Sequence, residues 1–233
     1  GECVVIRSHG VSRAVMEALE KMGVEIVDAT CPFVKKIHRI ISAAAENGQQ
    51  PVIIGTRAHP EVQAIAGWCS APLVFESPEE FASWLADDAK RTEIPIRMVC
   101  QTTSTQNLWK KTCEIAKKEC TNCEIFDTIC KATEMRQKEA TTLAKQCDAM
   151  VVVGDARSSN TGRLADICRQ YCKHVAMVDS AAELDMLLLS NAKTVGITAG
   201  ASTPAWIIKE VNNKMSEEMK VETAMEENFA ELL

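Results

Sequence analysis

The chain is poor in aromatic residues and in positive charge. Phe, Trp and Tyr make up only 4% of 233 residues, and 26 Lys and Arg stand against 32 Asp and Glu, for a formal charge of −6. A nucleic-acid binder wants a basic stripe and stacking rings, so these two shortages argue against RNA or DNA as a partner of this region. Long apolar runs are also missing. None approaches the roughly 18 residues that a membrane-spanning helix needs, so no membrane partner is expected. No charged-then-apolar leader opens the chain, and the expected location is the cytoplasm. The sequence starts at Gly1 without a Met and enters Val4-Val5-Ile6 at once, which reads as a piece of a longer protein.

What is present is a globular composition, with 46% hydrophobic and 25% charged residues over a length that allows one to three domains. The 11 cysteines form an odd set, too sparse for a disulfide scaffold. Most are expected to be reduced and to pack as small hydrophobes, leaving a minority as ligands of a metal or cluster. Short apolar runs at 4–6, 52–54, 98–100, 150–153 and 194–198 alternate with helix-period segments at 12–22, 33–46, 105–118, 134–147 and 160–171. That alternation predicts an α/β fold with parallel sheets, in which ligands bind beyond the carboxyl ends of the strands.

The loops at those strand ends are therefore the candidates. They hold Ser8-His9-Gly10, Thr56-Arg57-Ala58-His59-Pro60-Glu61, Gln101-Thr102-Thr103, Asp155-Ala156-Arg157-Ser158-Ser159-Asn160 and Gly200-Ala201-Ser202. Each leads towards a helix start, whose unpaired N–H groups and positive dipole end suit an anion. One such loop is no more than an ordinary N-cap, but five in series point to a phosphate-bearing ligand. A second pattern repeats: Asp28-Ala29-Thr30-Cys31 and Asp127-Thr128-Ile129-Cys130 both follow strand-like residues and precede a helix. On the residues alone, Cys31 and Cys130 are either buried core thiols or one metal ligand from each of two repeated domains.

Taken in order, Ser8-His9-Gly10, Asp28-Ala29-Thr30-Cys31-Pro32, His59-Pro60-Glu61, Gln101-Thr102-Thr103, Asp127-Thr128-Ile129-Cys130, Ser158-Ser159-Asn160 and Ala199-Gly200-Ala201-Ser202 resemble the LytB/IspH family, the 4-hydroxy-3-methylbut-2-enyl diphosphate reductases. The resemblance runs from Val4 to about Val211. It implies a trefoil-like arrangement of three small α/β domains around a central 4Fe–4S cluster held by one cysteine from each. Cys31 and Cys130 then become two ligands, and the third falls in an upstream segment that this chain does not contain. The implied division is a first-domain remnant at 1–31, a second domain at 32–126, a third at 127–211, and a C-terminal helix with an acidic linker at 212–233.

The implied reaction is reductive dehydration of an allylic alcohol diphosphate to isopentenyl and dimethylallyl diphosphate, with electrons from a carrier such as ferredoxin or flavodoxin. Glu61 matches the proton donor and Thr102 the residue beside it. His9, His59, Ser158, Asn160 and Ser202 match contacts to the diphosphate, the two histidines as imidazolium ions, with Ser159 assisting. With two of three cluster ligands, the chain as it stands is expected to be inactive. The competing readings are a non-catalytic phosphate-binding module and a zinc or thiol protein built on Cys120 and Cys123. From Met215 onward six Glu accompany one Lys, so most of the net charge belongs to a tail that resembles the junction to RNA-binding repeats in some family members.

Overall fold

The computed structural model describes residues 2–230, with side chains through residue 217. It divides into two compact units, Gly1–Cys130 and Lys131–Leu233. The first unit holds β1 (Cys3–Ile6), α1 (Arg13–Met22), β2 (Glu25–Asp28), α2 (Pro32–Glu46), β3 (Gln50–Ile54), α3 (Pro60–Ala66), β4 (Leu73–Phe75), α4 (Pro78–Ala86), β5 (Ile96–Cys100), α5 (Gln106–Glu119) and β6 (Cys123–Ile125). The second holds α6 (Lys131–Ala144), β7 (Ala149–Val153), α7 (Ser159–Tyr171), β8 (His174–Val178), β9 (Val195–Ala199) and α8 (Ala205–Ala230). Strands pair β1-β2 and β4-β3-β5-β6 in the first unit and β8-β7-β9 in the second, all in parallel.

The expected α/β class with parallel sheets is what forms, and the cause is visible in the central strands. Val52, Ile53 and Ile54 of β3 are fully buried, as are all five residues of β7. Such strands must be covered by helices on both faces, which a strand–helix alternation supplies. Helix α2 buries Val34, Ile37, Ile41 and Ala44, a stripe at three- and four-residue spacing that lies on β3 and β5. Capping sets where the helices begin: Ser12, Ser77, Thr105 and Ser158 each accept a backbone N–H from the first turn they precede.

The boundary expected at residue 212 falls inside α8, which starts at Ala205 and buries Val211 and Met215 in the β7–β9 core. Residues 231–233 of the expected linker lie outside the described residues. No helix among the described residues is long and apolar enough to cross a membrane.

Candidate active site

In the first unit, polar groups gather on the loops that leave the carboxyl ends of β1, β3 and β5. After β3 the chain turns so that the His59 N–H donates to the Thr56 carbonyl at 2.9 Å. His59 is the N-cap of α3, and its Nδ1 accepts the Glu61 N–H at 3.1 Å. With Nδ1 accepting, Nε2 is the ring nitrogen that can donate. Pro60 presets the first helical turn and brings Glu61 into it, where that residue is only 2% exposed.

Glu61 Oε1 accepts the Thr102 N–H at 2.6 Å, and Oε2 lies 2.6 Å from Thr102 Oγ1. Burial pushes the Glu61 carboxyl above its ordinary range, while the two bonds from Thr102 pull it part of the way back. A carboxyl so held can keep a proton towards neutral pH and hand it on through the adjoining hydroxyl. Gln101, fully buried, joins the two loops: its Oε1 accepts the Thr56 N–H at 3.1 Å and its Nε2 donates to Thr103 Oγ1 at 2.9 Å.

His9, on the loop after β1, meets His59 edge to face with ring centroids 5.2 Å apart. Its Nδ1 is buried without a partner, and burial, then the Arg7 charge, lowers its pKa. At His9 this shift runs against the imidazolium form that the resemblance implies. Desolvation disfavours the cation until an anion arrives to offset it. A cleft of about 710 Å³ between α4 and α5, lined by Leu85, Lys111 and Glu114 among others, contains none of these groups.

Cys31 and Cys130 occupy matching positions in two different sheets. Each follows an Asp whose carboxylate accepts the N–H two residues on, Thr30 at 3.0 Å and Ile129 at 3.2 Å. Each donates its own N–H, at 3.0 Å, to the loop after the neighbouring parallel strand, Cys31 to Ser8 and Cys130 to Thr102. Both then stand at a helix start, before α2 and α6. Neither thiol is in a disulfide, and both are half-buried. Among the described residues, however, no three His, Cys, Asp or Glu side chains are grouped to hold a metal.

The second unit repeats the β3–β5 design. Gly55 and Gly154 both follow the central strand and donate to the last residue of an outer one, Phe75 at 2.9 Å and Val178 at 2.8 Å. Gln101 and Gly200 donate back to Ile54 and Val153, the ends of the central strands. Ser158 donates to Asp155 at 2.9 Å and caps α7, as His59 does for α3. In this register Asn160 corresponds to Glu61, and Ala201 to Thr102. Ala201 has no hydroxyl to offer, and both polar atoms of the Asn160 side chain, at 7% exposure, are buried without a partner. Ser158 and Ser159 flank it at the start of α7, and Ser202 is exposed on the loop after β9.

The LytB protein family model matches residues 1–216. The chain belongs to the LytB family. The 4-hydroxy-3-methylbut-2-enyl diphosphate reductase of Caldanaerobacter subterraneus subsp. tengcongensis is 40% identical to this LytB chain over 215 residues, spanning 92% of it and 73% of that relative. A solved (E)-4-hydroxy-3-methyl-but-2-enyl diphosphate reductase, the terminal enzyme of the non-mevalonate pathway, is 33% identical with a TM-score of 0.60, over 92% of this chain and 76% of that one. The E-1-hydroxy-2-methyl-but-2-enyl-4-diphosphate reductase of Plasmodium falciparum superposes with a TM-score of 0.84 at 25% identity, over 91% of this chain and 67% of that one.

Within the LytB chain, the first unit brings together His9, His59, Glu61 and Thr102, with Cys130 tied to Thr102. The second brings together Ser158, Ser159 and Asn160. The alternative ligand pair, Cys120 and Cys123, brackets the turn from α5 to β6, where burial pushes the Cys123 thiol up to about 12. Sequence reasoning missed the spacing Gly-x₃-(His/Ser)-x-(Glu/Asn), which starts at Gly55 and again at Gly154 and marks both loops. Gly154 sits at φ +139°, and a Cβ there would come within 2.6 Å of Thr203 Oγ1.

Proposed function

We propose that this LytB chain carries the reductive dehydration of (E)-4-hydroxy-3-methylbut-2-enyl diphosphate to isopentenyl and dimethylallyl diphosphate. The reaction consumes two electrons and two protons: one proton leaves with the allylic hydroxyl as water, and the other ends on carbon. The chemistry that an iron–sulfur cluster supplies when bound is one-electron delivery and a Lewis-acid site for the hydroxyl. Cys31 and Cys130 are the residues of this chain that would hold it. The electrons would come from a low-potential carrier of the ferredoxin or flavodoxin type, and the setting is the cytoplasm.

The chain's own residues bind, orient and protonate. His9 and His59 take the diphosphate in the first unit, each donating through a ring N–H. An approaching anion favours the charged form of the His9 ring and makes it a charge-assisted donor. In the second unit, Asn160, with Ser158, Ser159 and Ser202, offers amide and hydroxyl groups suited to phosphate oxygens. Glu61 delivers the proton and Thr102 relays it, the hydroxyl shifting its hydrogen bond from Glu61 to the substrate oxygen. The observation that carries this reading is the buried Glu61–Thr102 pair beside the His9 and His59 rings in a chain of this family. Under anaerobic conditions, the full-length, cluster-loaded protein with a reduced viologen dye should convert the hydroxylated C5 diphosphate to the two C5 products. A cluster-loaded protein that forms neither product overturns the assignment.

A further inference from the structure

The diphosphate histidines come from different sheets, His9 from the loop after β1 and His59 from the loop after β3. Something has to fix one against the other. Within the first unit, residues 10–13 lie along the segment that ends α3. Arg13 donates its N–H to the Gly67 carbonyl at 3.3 Å, and Trp68 Nε1 donates to the Val11 carbonyl at 2.8 Å. The approach is close enough that a Cβ on Gly67 would come 2.2 Å from Ser12 Cβ.

His38, on α2, lies beneath this seam at 6% exposure. Its ring stacks on Trp68 with centroids 5.0 Å apart and planes 16° from parallel. It also meets Gly10, which directly follows His9. Gly10 sits at φ +73°, and a Cβ built there would lie 2.8 Å from His38 Cε1 and 3.0 Å from Thr30 Cγ2. Ser42, one turn further along α2, ties the stack together: its hydroxyl lies 2.7 Å from the His38 carbonyl and 3.0 Å from the Trp68 carbonyl, and its single proton serves one or the other. His38 Nε2 is buried without a partner, so the ring acts here through its shape rather than through a hydrogen bond.

We propose that His38 is a positioning residue for diphosphate binding: packed against Trp68 and Gly10, its ring sets the His9 loop at the distance from His59 that a diphosphate requires. It touches neither substrate nor cluster. Without the ring, Gly10 loses the surface against which its left-handed turn is packed, and His9 is no longer held facing His59. The consequence falls on binding rather than on the chemical step, because Glu61 and Thr102 are fixed by α3, Gln101 and β5 and do not depend on the seam.

The inference rests on the proposed function, and its test separates the two. In the full-length holoprotein, His38→Ala should raise KM for the allylic diphosphate about tenfold while kcat stays within about threefold. Titration calorimetry with inorganic diphosphate should show the same loss of affinity. His38→Gln restores a flat group that can stack on the indole, and should recover most of the affinity. Should His38→Ala fail to fold, Trp68→Phe removes the bond to Val11 and loosens the same seam, and it should raise KM in the same direction. Unchanged KM in both variants, or kcat falling as much as affinity, would overturn the positioning role. Wild-type protein that binds diphosphate but gives no products would overturn the proposed reaction and leave the seam to be judged by calorimetry alone.

Discussion

Replacing Asn160 by Leu should make the protein more stable and a worse binder at the same time. The side chain is 7% exposed, and neither its Oδ1 nor its Nδ2 has a partner. A buried polar group left unsatisfied costs roughly 1–3 kcal/mol, and an apolar residue of similar volume removes that cost. Part of the gain is lost because a branched side chain seldom fits a polar niche perfectly, so a net gain of about 1 kcal/mol is expected. For a chain of this size that is a rise in Tm of roughly 2–4 °C. Binding moves the other way. A hydrogen bond to a charged oxygen is worth about 1.5–3 kcal/mol, so affinity for diphosphate should fall by about ten- to a hundredfold. Asn160→Asp provides the contrast: a buried carboxylate facing an anion should lower both stability and affinity. Thermal melts with and without inorganic diphosphate read both quantities in one experiment. If Asn160→Leu lowers Tm and leaves the diphosphate-induced shift intact, the assignment of Asn160 as a ligand contact is wrong.

The remaining predictions concern the first unit. Thr102→Val removes the hydroxyl beside Glu61 but keeps the shape, and should lower kcat by about 10²–10⁴, the usual range for a lost proton-transfer group. Thr102→Ser should keep most of the activity, and a Val variant with normal kcat would exclude the relay. Stability should also depend on His38, which burial, opposed by the Asp28 charge, holds at about 4 in the fold against an ordinary 6.5. A His with a lowered folded pKa is protonated first in the unfolded chain, so its contribution is complete above pH 6.5 and lost as the pH falls towards 4. Urea melts at pH 7 and pH 5 should differ by about 2 kcal/mol from this group, and His38→Gln should reduce that difference. Cys31→Ser and Cys130→Ser should each abolish the visible absorption of the cluster in full-length protein, while Cys123→Ser should not. Colour surviving either of the first two changes would remove that residue as a ligand.

The sequence disclosed the fold through its central strands. Residues 52–54 and 150–153 are unbroken apolar runs because both faces of β3 and β7 are covered by helices. The outer strands β4 and β8 also carry short apolar runs, Leu73-Val74-Phe75 and Val175-Ala176-Met177-Val178, which the alternation of strand and helix did not single out. Glu61 and Thr102 could be named from family motifs. That they are neighbours came with the resemblance too, but the two bonds that join them across 41 positions did not. The seam at His38 was out of reach for a similar reason: in sequence it is a lone histidine on an apolar helix face, and only the close approach of Gly10, Thr30 and Trp68 gives it meaning. The downward shift of His9 was not legible in the motif, since it comes from burial and the Arg7 charge in the fold.

The most direct test of the account is Glu61→Gln in the cluster-loaded, full-length protein. The amide keeps the size of the carboxyl and its place beside Thr102 but has no proton to deliver. Diphosphate affinity and cluster absorption should match the wild type, while turnover of the hydroxylated diphosphate falls by about 10²–10⁴. Turnover at the wild-type rate would contradict the claim that this chain works by proton delivery from Glu61.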